Sequence, residues 1–305
     1  MRPVQTVLGP RDGETLGVVD AHAHLWIGVG PEGSPRLEDE KLALCELREL
    51  RAAGGGALID CQPGGCGRDG TVLRRLMEAS GVAVVAVTGF HLRRHYLPGT
   101  GPWADPGGAL ESFVAELRDG LAEEPAARAG LVKCAWTGVG EAERTLLDAG
   151  LEAARCEGAP VLVHTERGEA VERLCELVVD AGVAPGRVQL SHVDKRPDHG
   201  LHLELARAGF VLGYDTFLRP KYRPDEHVWP LLGALVREGL WRQATLGTDL
   251  VDRADWHAAG GPGLRALPLD VVGRLRGAGV EGEVLRALAG GNAVRLLSDG
   301  APVVA

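Results

Sequence analysis

Apolar residues in this chain gather in eight short runs, and the stretches between them carry apolar positions at helical spacing. The runs lie at 16–24, 57–60, 82–88, 130–134, 160–164, 188–192, 210–214 and 244–249. Most are rich in Val, Leu and Ala with little alternation, the pattern of strands buried on both faces. Helical spacing fills 38–53, 71–80, 110–128, 141–157, 169–181, 201–208 and 225–238, and a last helix pair is expected at 268–277 and 281–298. Strict alternation of strand and helix predicts a parallel sheet. Eight strands with a closing helical segment predict an α/β fold of the (β/α)8, or TIM-barrel, type. Such a barrel needs about 250 residues, so the 305 residues fit one domain over 1–305. No internal repeat, linker or low-complexity block interrupts the pattern.

Five of the runs carry polar residues at or near their C-terminal ends. They are His22 and His24, then Lys133, His164, His192 and Asp249. In a parallel barrel those ends face the active-site mouth, so the six side chains are expected to meet there. His22 and His24 are two apart and share one face of a strand. His-x-His alone is weak, and the bland reading is two polar residues at a strand end. The force comes from four histidines, a lysine and an aspartate arriving at the same end.

Lysine is scarce: 41, 133, 195 and 221 are the four, against 29 arginines. A lysine at a buried strand end therefore suggests that an amine is wanted there. The alternative is an ion pair between Lys133 and a carboxylate such as Asp249. Lysine, unlike arginine, can exist as a neutral amine when buried. A neutral amine can add carbon dioxide and become a carbamate, an anionic bidentate ligand. The set thus predicts two divalent metal ions bridged by the Lys133 carbamate. His22, His24 and Asp249 would hold one ion; His164 and His192 would hold the other. Imidazole and carboxylate fit zinc, manganese or cobalt without choosing among them; zinc is the expected ion. Two such ions generate a bridging hydroxide that attacks a carbonyl or phosphoryl centre, with Lys133 and Asp249 as the catalytic residues and Asp249 as proton acceptor. The reaction class is metal-assisted hydrolysis.

Charge and composition narrow the partners. A net charge of -9 and a pI near 5.6 argue against nucleic acid or an anionic membrane. No signal peptide is visible at the start of the chain, and no apolar stretch approaches the roughly 20 residues of a membrane span. The six scattered cysteines read as reduced thiols in a cytoplasmic protein. The expected partner is a small, anionic substrate, with a homodimer left open. Two long loops, 91–108 and 250–267, are expected beside the metal end. The first holds His91 and His95, candidates for contact with substrate hydroxyls. Glu166 and Arg167 follow His164 closely and are expected near the pocket. His199, His202, His227 and His257 read as surface or loop residues.

The motifs Asp20-Ala21-His22-Ala23-His24, Val132-Lys133, Val163-His164-Thr165, Leu190-Ser191-His192 and Gly247-Thr248-Asp249 resemble the phosphotriesterase family of the amidohydrolase superfamily. The resemblance spans nearly the whole chain. It implies the barrel, the binuclear centre, the carboxylated lysine and hydrolase activity. Arg219-Pro220-Lys221-Tyr222-Arg223-Pro224-Asp225 and Ala259-Gly260-Gly261-Pro262-Gly263 resemble the branch that opens phosphorylated sugar lactones. An acidic protein with an anionic substrate must concentrate positive charge locally, and Arg219, Lys221 and Arg253 are the candidates. Tyr222 would add a hydroxyl. The bland alternative is a solvated basic loop. Around Arg253 the spacing departs from the branch, with Trp256 where a tyrosine would suit a phosphate. Other substrates in the same frame are an acyl-homoserine lactone or an organophosphate triester. A third reading is a metal-binding sensor or scaffold without catalysis. Aromatic content of 4% weighs toward a polar substrate.

Overall fold

The computed structural model describes residues 3–298. A short antiparallel hairpin of β1 (Val4–Thr6) and β2 (Gly9–Arg11) precedes the main fold. Then come eight parallel strands: β3 (Val18–Ala23), β4 (Gly55–Asp60), β5 (Ala83–Gly89), β6 (Leu131–Trp136), β7 (Val161–Thr165), β8 (Val188–Ser191), β9 (Val211–Tyr214) and β10 (Ala244–Leu246). They pair in sequence order within one sheet. Its two edges, β3 and β10, meet across a seam where the N–H groups of Thr248 and Asp249 donate to the His22 carbonyl at 3.1 and 2.9 Å. Only glycine fits at 247, because a Cβ there would stand 2.8 Å from that of His22. The seam therefore closes at the residues expected to bind metal. The predicted barrel is the observed one.

Seven helices fill the crossovers: α1 (Glu40–Ala52), α2 (Gly70–Ser80), α3 (Ala109–Arg118), α4 (Glu141–Glu157), α5 (Val171–Asp180), α6 (His199–Arg207) and α7 (Val228–Arg237). Asp39, Asp69 and Asp198 cap three of them by accepting from N–H groups of the first turn, at Leu42, Val72 and Leu201. The helix expected over 110–128 stops at Arg118. Gly120 takes a φ of 149°, which few other residues adopt, and Pro125 follows in the next turn. The closing segment is more broken than expected. A π-helical turn (Leu267–Val271) leads into α8 (Val272–Gly277), and a second (Ala287–Gly291) joins α9 (Gly282–Arg286) to α10 (Asn292–Ser298). The ends of the expected 1–305 domain, 1–2 and 299–305, lie outside the described residues. No helix among those described is long and apolar enough to cross a membrane.

Arg68, in the loop after β4, has a fully buried side chain. It donates to the Val87 carbonyl, to Glu116 in the last turn of α3 and to Glu123 beyond that helix. This ties the loop over β4 to the segment that replaces the missing half of the predicted helix. Removing one partner of such a buried network strands the others. Arg68→Ala is expected to lower stability by about 3 kcal/mol or more, seen as a reduced urea midpoint at constant slope. A loss below about 1 kcal/mol would mean that water takes over the contacts.

Candidate active site

β3 delivers His22, with His24 just beyond its end. Both are buried. His192 sits immediately past β8 and Asp249 three residues past the end of β10, with φ of 67° and 44°. Left-handed backbone at two non-glycine residues of one cluster marks a place where local strain is tolerated for position. Asp249 Oδ1 lies 3.6 Å from Nε2 of both His22 and His24. Its Oδ2 lies 3.7 Å from Nδ1 of His192. The His164 ring on β7 is 4.6 Å from that of His192, and His192 is 4.6 Å from His22. All six predicted residues line one open cavity of about 220 Å3 at the C-terminal end of the barrel.

Lys133 on β6 is wholly buried, and its Nζ donates to the Cys61 carbonyl at 2.6 Å. No carboxylate among the described residues lies within 4.0 Å of it, so the ion-pair alternative has no partner here. A fully buried ammonium without a counter-charge is costly. Carboxylation would turn this position from cationic to anionic among the histidines.

The unexpected member is Asp215, one residue past β9. Its Oδ1 accepts from Nδ1 of His192 at 2.7 Å, and its Oδ2 stands 3.2 Å from Nδ1 of His22. Two sets of atoms are close enough to hold a cation: His22, His24 and Asp249, and His22, His192 and Asp215. The first is the set expected from the sequence. The second takes His22 through the ring nitrogen that faces Asp215, while Nε2 faces Asp249. A carboxylate on the outer nitrogen of a ligand imidazole fixes its tautomer and direction, and Asp215 is placed to do this for two rings at once. Asp194 holds Asp215 in turn, accepting from the N–H groups of Asp215 and Thr216 and from the Thr216 hydroxyl.

The residues fit a metal centre. Both ring nitrogens of His22 and Oδ2 of Asp215 are buried without a hydrogen-bond partner, a costly state that an ion and an oriented ring would relieve. Burial pushes His24 down to about 4 and His164 well below the ordinary histidine value, leaving neutral rings with a lone pair to give. At His22 burial is outweighed by Cys61 and Asp215, which lift it to about 10. At Asp249 burial is outweighed by His192, His24, His22 and Arg219, so its carboxyl stays well below the usual range.

Two further buried carboxylates brace the strand ends. Asp20 accepts from the N–H groups of His22 and Thr248 and from the Thr248 hydroxyl. Asp60 accepts from Leu25 N–H at 2.7 Å. Burial pushes Asp60 up to about 7 from 3.8, against its hydrogen bonds from Leu25 and Trp26. Between those values the folded, metal-free protein holds a proton that the unfolded chain has released. The unfolded state binds fewer protons, so this group's contribution to stability falls as pH rises through that window. Asp60→Asn is expected to flatten the fall in urea midpoint between about pH 5 and about pH 7. An unchanged slope would place the proton elsewhere.

The expected substrate residues divide. Arg219 lines the cavity, its guanidinium 3.3 Å from Asp249 Oδ2. His91 also lines it, stacked on His95 at 4.3 Å and edge-on to His164. Glu166 lines it and stands 3.1 Å from His164 Nε2 and 3.0 Å from Arg94, whereas Arg167 is not in the lining. Lys221 and Arg253 do not line the cavity. Lys221 is exposed, with its ammonium 5.0 Å from the centre of the Tyr222 ring, and half-buried Tyr222 is also outside the lining. Arg253 is 64% exposed and turned toward Asp39, which lies 3.7 Å away at the start of α1. The loop over 250–267 reaches the cavity through Val251 and is fastened to α1. Trp256 is core, and Glu46 of α1 accepts from the N–H groups of His257 and Leu264. His202 is not a surface residue either. It is buried and bonded to Tyr214 and to the carbonyls of Val193 and Arg196. Lys195, Arg94 and Gln62 are further polar members of the lining that the sequence reading did not foresee.

A profile of the Phosphotriesterase family matches residues 2–297. The chain belongs to this family. It is 31% identical over 270 residues to a phospho-furanose lactonase of Mycoplasmopsis synoviae, covering 80% of this chain and 75% of that protein. Its structure is similar to an amidohydrolase from Mycoplasma synoviae, with a TM-score of 0.90 at 25% identity over 99% of this chain and 95% of that one. A lactonase from Listeria monocytogenes shares the fold, with a TM-score of 0.88 at 21% identity over 97% and 99%.

Proposed function

We propose that the protein is a metal-dependent hydrolase that opens the ring of a phosphorylated sugar lactone. One observation carries this reading: four histidines, Asp249 and Arg219 converge in one cavity of a chain 31% identical to a phospho-furanose lactonase. His22, His24 and Asp249 would hold one divalent ion, and His164 and His192 the other, with carboxylated Lys133 between them. Bound, two such ions supply Lewis acidity, lowering the pKa of a water and polarising a carbonyl oxygen.

The chain's own groups do the rest. Asp249 accepts the proton of the attacking water and returns it to the departing ring oxygen. Asp215 holds the His22 and His192 rings in register. Arg219 binds and orients the anionic end of the substrate. His91 and His95 line the same cavity and would meet the hydroxyls of a sugar. No Phe, Tyr or Trp lines the cavity, which disfavours a long-chain acyl lactone or an aryl phosphotriester.

The test is a comparison of one lactone with and without its phosphate. Charge-assisted contacts are worth roughly 1.5–3 kcal/mol each, so two of them predict a preference of about a hundredfold or more in kcat/KM. A preference for long-chain acyl lactones would promote the acyl-homoserine lactonase reading. Faster turnover of a phosphotriester would promote the organophosphate one. Metal binding without turnover on any of the three would leave a sensor or scaffold.

A further inference from the structure

The loop after β4, Gln62-Pro63-Gly64-Gly65-Cys66-Gly67-Arg68, folds back on the residue that opens it. Gln62 is buried and lines the cavity beside His24. Its Oε1 stands 3.0 Å from Nδ1 of His24. Its Nε2 donates to the Cys66 carbonyl and lies 3.3 Å from the Cys66 sulfur. The loop holds that carbonyl in place. Cys66 N–H donates to the Pro63 carbonyl at 3.3 Å, and Gly28 N–H donates to the Gly67 carbonyl at 2.7 Å. Arg68, buried among Val87, Glu116 and Glu123, pins the far end.

These contacts decide which nitrogen of His24 carries the proton. An amide can turn either end to a neighbour. Against the Cys66 carbonyl only the nitrogen end fits, because the reversed amide would set two acceptors together in a buried place. The amide oxygen is then left for His24, and it can only accept. Nδ1 must therefore hold the proton and donate it, which leaves the lone pair on Nε2. Nε2 is the nitrogen 3.6 Å from Asp249 Oδ1, on the side of the expected ion. The reversed amide would give the opposite result, a proton on Nε2 and no lone pair to offer there. The rings of His22 and His192 face the Asp215 carboxylate. His24 is set by a neutral group instead, and a loop carbonyl sets the direction of that group.

We propose that Gln62 is the positioning residue of His24: the loop from Gln62 to Arg68 fixes its amide, so that His24 offers Nε2 to a metal ion. The tautomer follows from the contacts of the protein alone, whereas the role toward the ion rests on the metal-dependent reading above. An acceptor on the outer nitrogen of a ligand imidazole is worth about tenfold to a hundredfold in metal affinity.

The experiment takes the full-length chain, zinc-loaded and chelator-stripped, with the variants Gln62→Leu and Gln62→Glu. Leucine removes both ends of the amide. Glutamate keeps an acceptor for Nδ1 and loses the donor to Cys66. Long-range proton–nitrogen NMR spectra distinguish the two imidazole tautomers, and the His24 signals are those missing from His24→Gln. In the stripped wild type His24 should be protonated on Nδ1. In Gln62→Leu that form should give way to the Nε2-protonated one, and Gln62→Glu should keep the wild-type form. Competition with a chromogenic chelator should show zinc held about tenfold or more weakly in Gln62→Leu and within about threefold of wild type in Gln62→Glu. A merely structural role predicts that both variants lose zinc in step with their melting temperatures, and that result would overturn the proposal. An unchanged tautomer in Gln62→Leu would overturn it too, as would an Nε2-protonated His24 in the stripped wild type, which needs no variant to fold. If the wild type binds no zinc, the metal-dependent reading fails and the role toward the ion goes with it. Protonation of Nδ1 that is lost in Gln62→Leu would still sustain the tautomer lock.

Discussion

Asp249→Asn is expected to lower kcat by about a thousandfold or more while the chain still folds. Asparagine keeps the shape of the side chain and one oxygen that can bind a metal, but it cannot take a proton from water. The structure makes the charge of Asp249 the centre of its surroundings. Oδ1 faces His22 and His24, and Oδ2 faces His192, Arg219 and Lys195. These cationic and imidazole groups hold its carboxyl well below the usual range despite burial. In the metal-free protein the stability this supplies is present above the ordinary aspartate value and is lost as pH falls through the depressed one. The amide removes that stabilisation at neutral pH, so a lower melting temperature should accompany the loss of turnover. Circular dichroism, metal content and single-turnover rates separate the two effects. Near wild-type kcat in a metal-replete Asp249→Asn protein would exclude Asp249 as the proton acceptor.

The barrel was legible because its strands are buried on both faces and so appear as unbroken apolar runs. Even the residues that line the cavity from the strand ends could be placed, since strand ends in a parallel barrel share one direction. The β1–β2 hairpin was not legible. Its strands are three residues each, and its stability comes from packing against the barrel, including the bond from Val7 N–H to the Val84 carbonyl. The truncation of α3 had a visible signal in Gly120 and Pro125 that the helical spacing before them obscured. In the site, residues on or just past strand ends were readable, whereas of the loop residues Arg219 and His91 reach the cavity and Lys221 and Arg253 do not. A charge on a loop says nothing of where its side chain points. Arg253 and Lys221 turn outward, while Lys195, in an unremarked turn, points in. Asp215 carried a weak signal, a carboxylate directly after a predicted strand. His202 looked like a loop residue because its partners, Tyr214 and two carbonyls, are supplied by tertiary structure.

Lys133→Ala is expected to bind far less metal than the wild type, which should hold about two equivalents after expression with added metal and bicarbonate. The argument begins with burial. Lys133 is among the largest fully buried side chains of the protein, and its nitrogen has a carbonyl partner but no carboxylate within ion-pair distance. Its neighbours in the cavity are the histidines proposed to hold the ions. Left as an ammonium, the side chain would repel divalent cations from the place where two ligand sets meet; as a carbamate it would attract both. Truncation to alanine removes the bridge and leaves a cavity lined by ligands. A short carboxylic acid can enter that space and return an anionic bridging group, so acetate or propionate should restore part of the metal content and part of the turnover. Elemental analysis reads the first, and intact mass under native conditions should find the wild type heavier by one carbon dioxide. Lys133→Arg, which keeps a positive charge but cannot carry a carbamate, should not regain metal. A full metal complement in Lys133→Ala, with no carbon dioxide on the wild type, would leave a different bridge or a single-ion site, and the binuclear reading would fall.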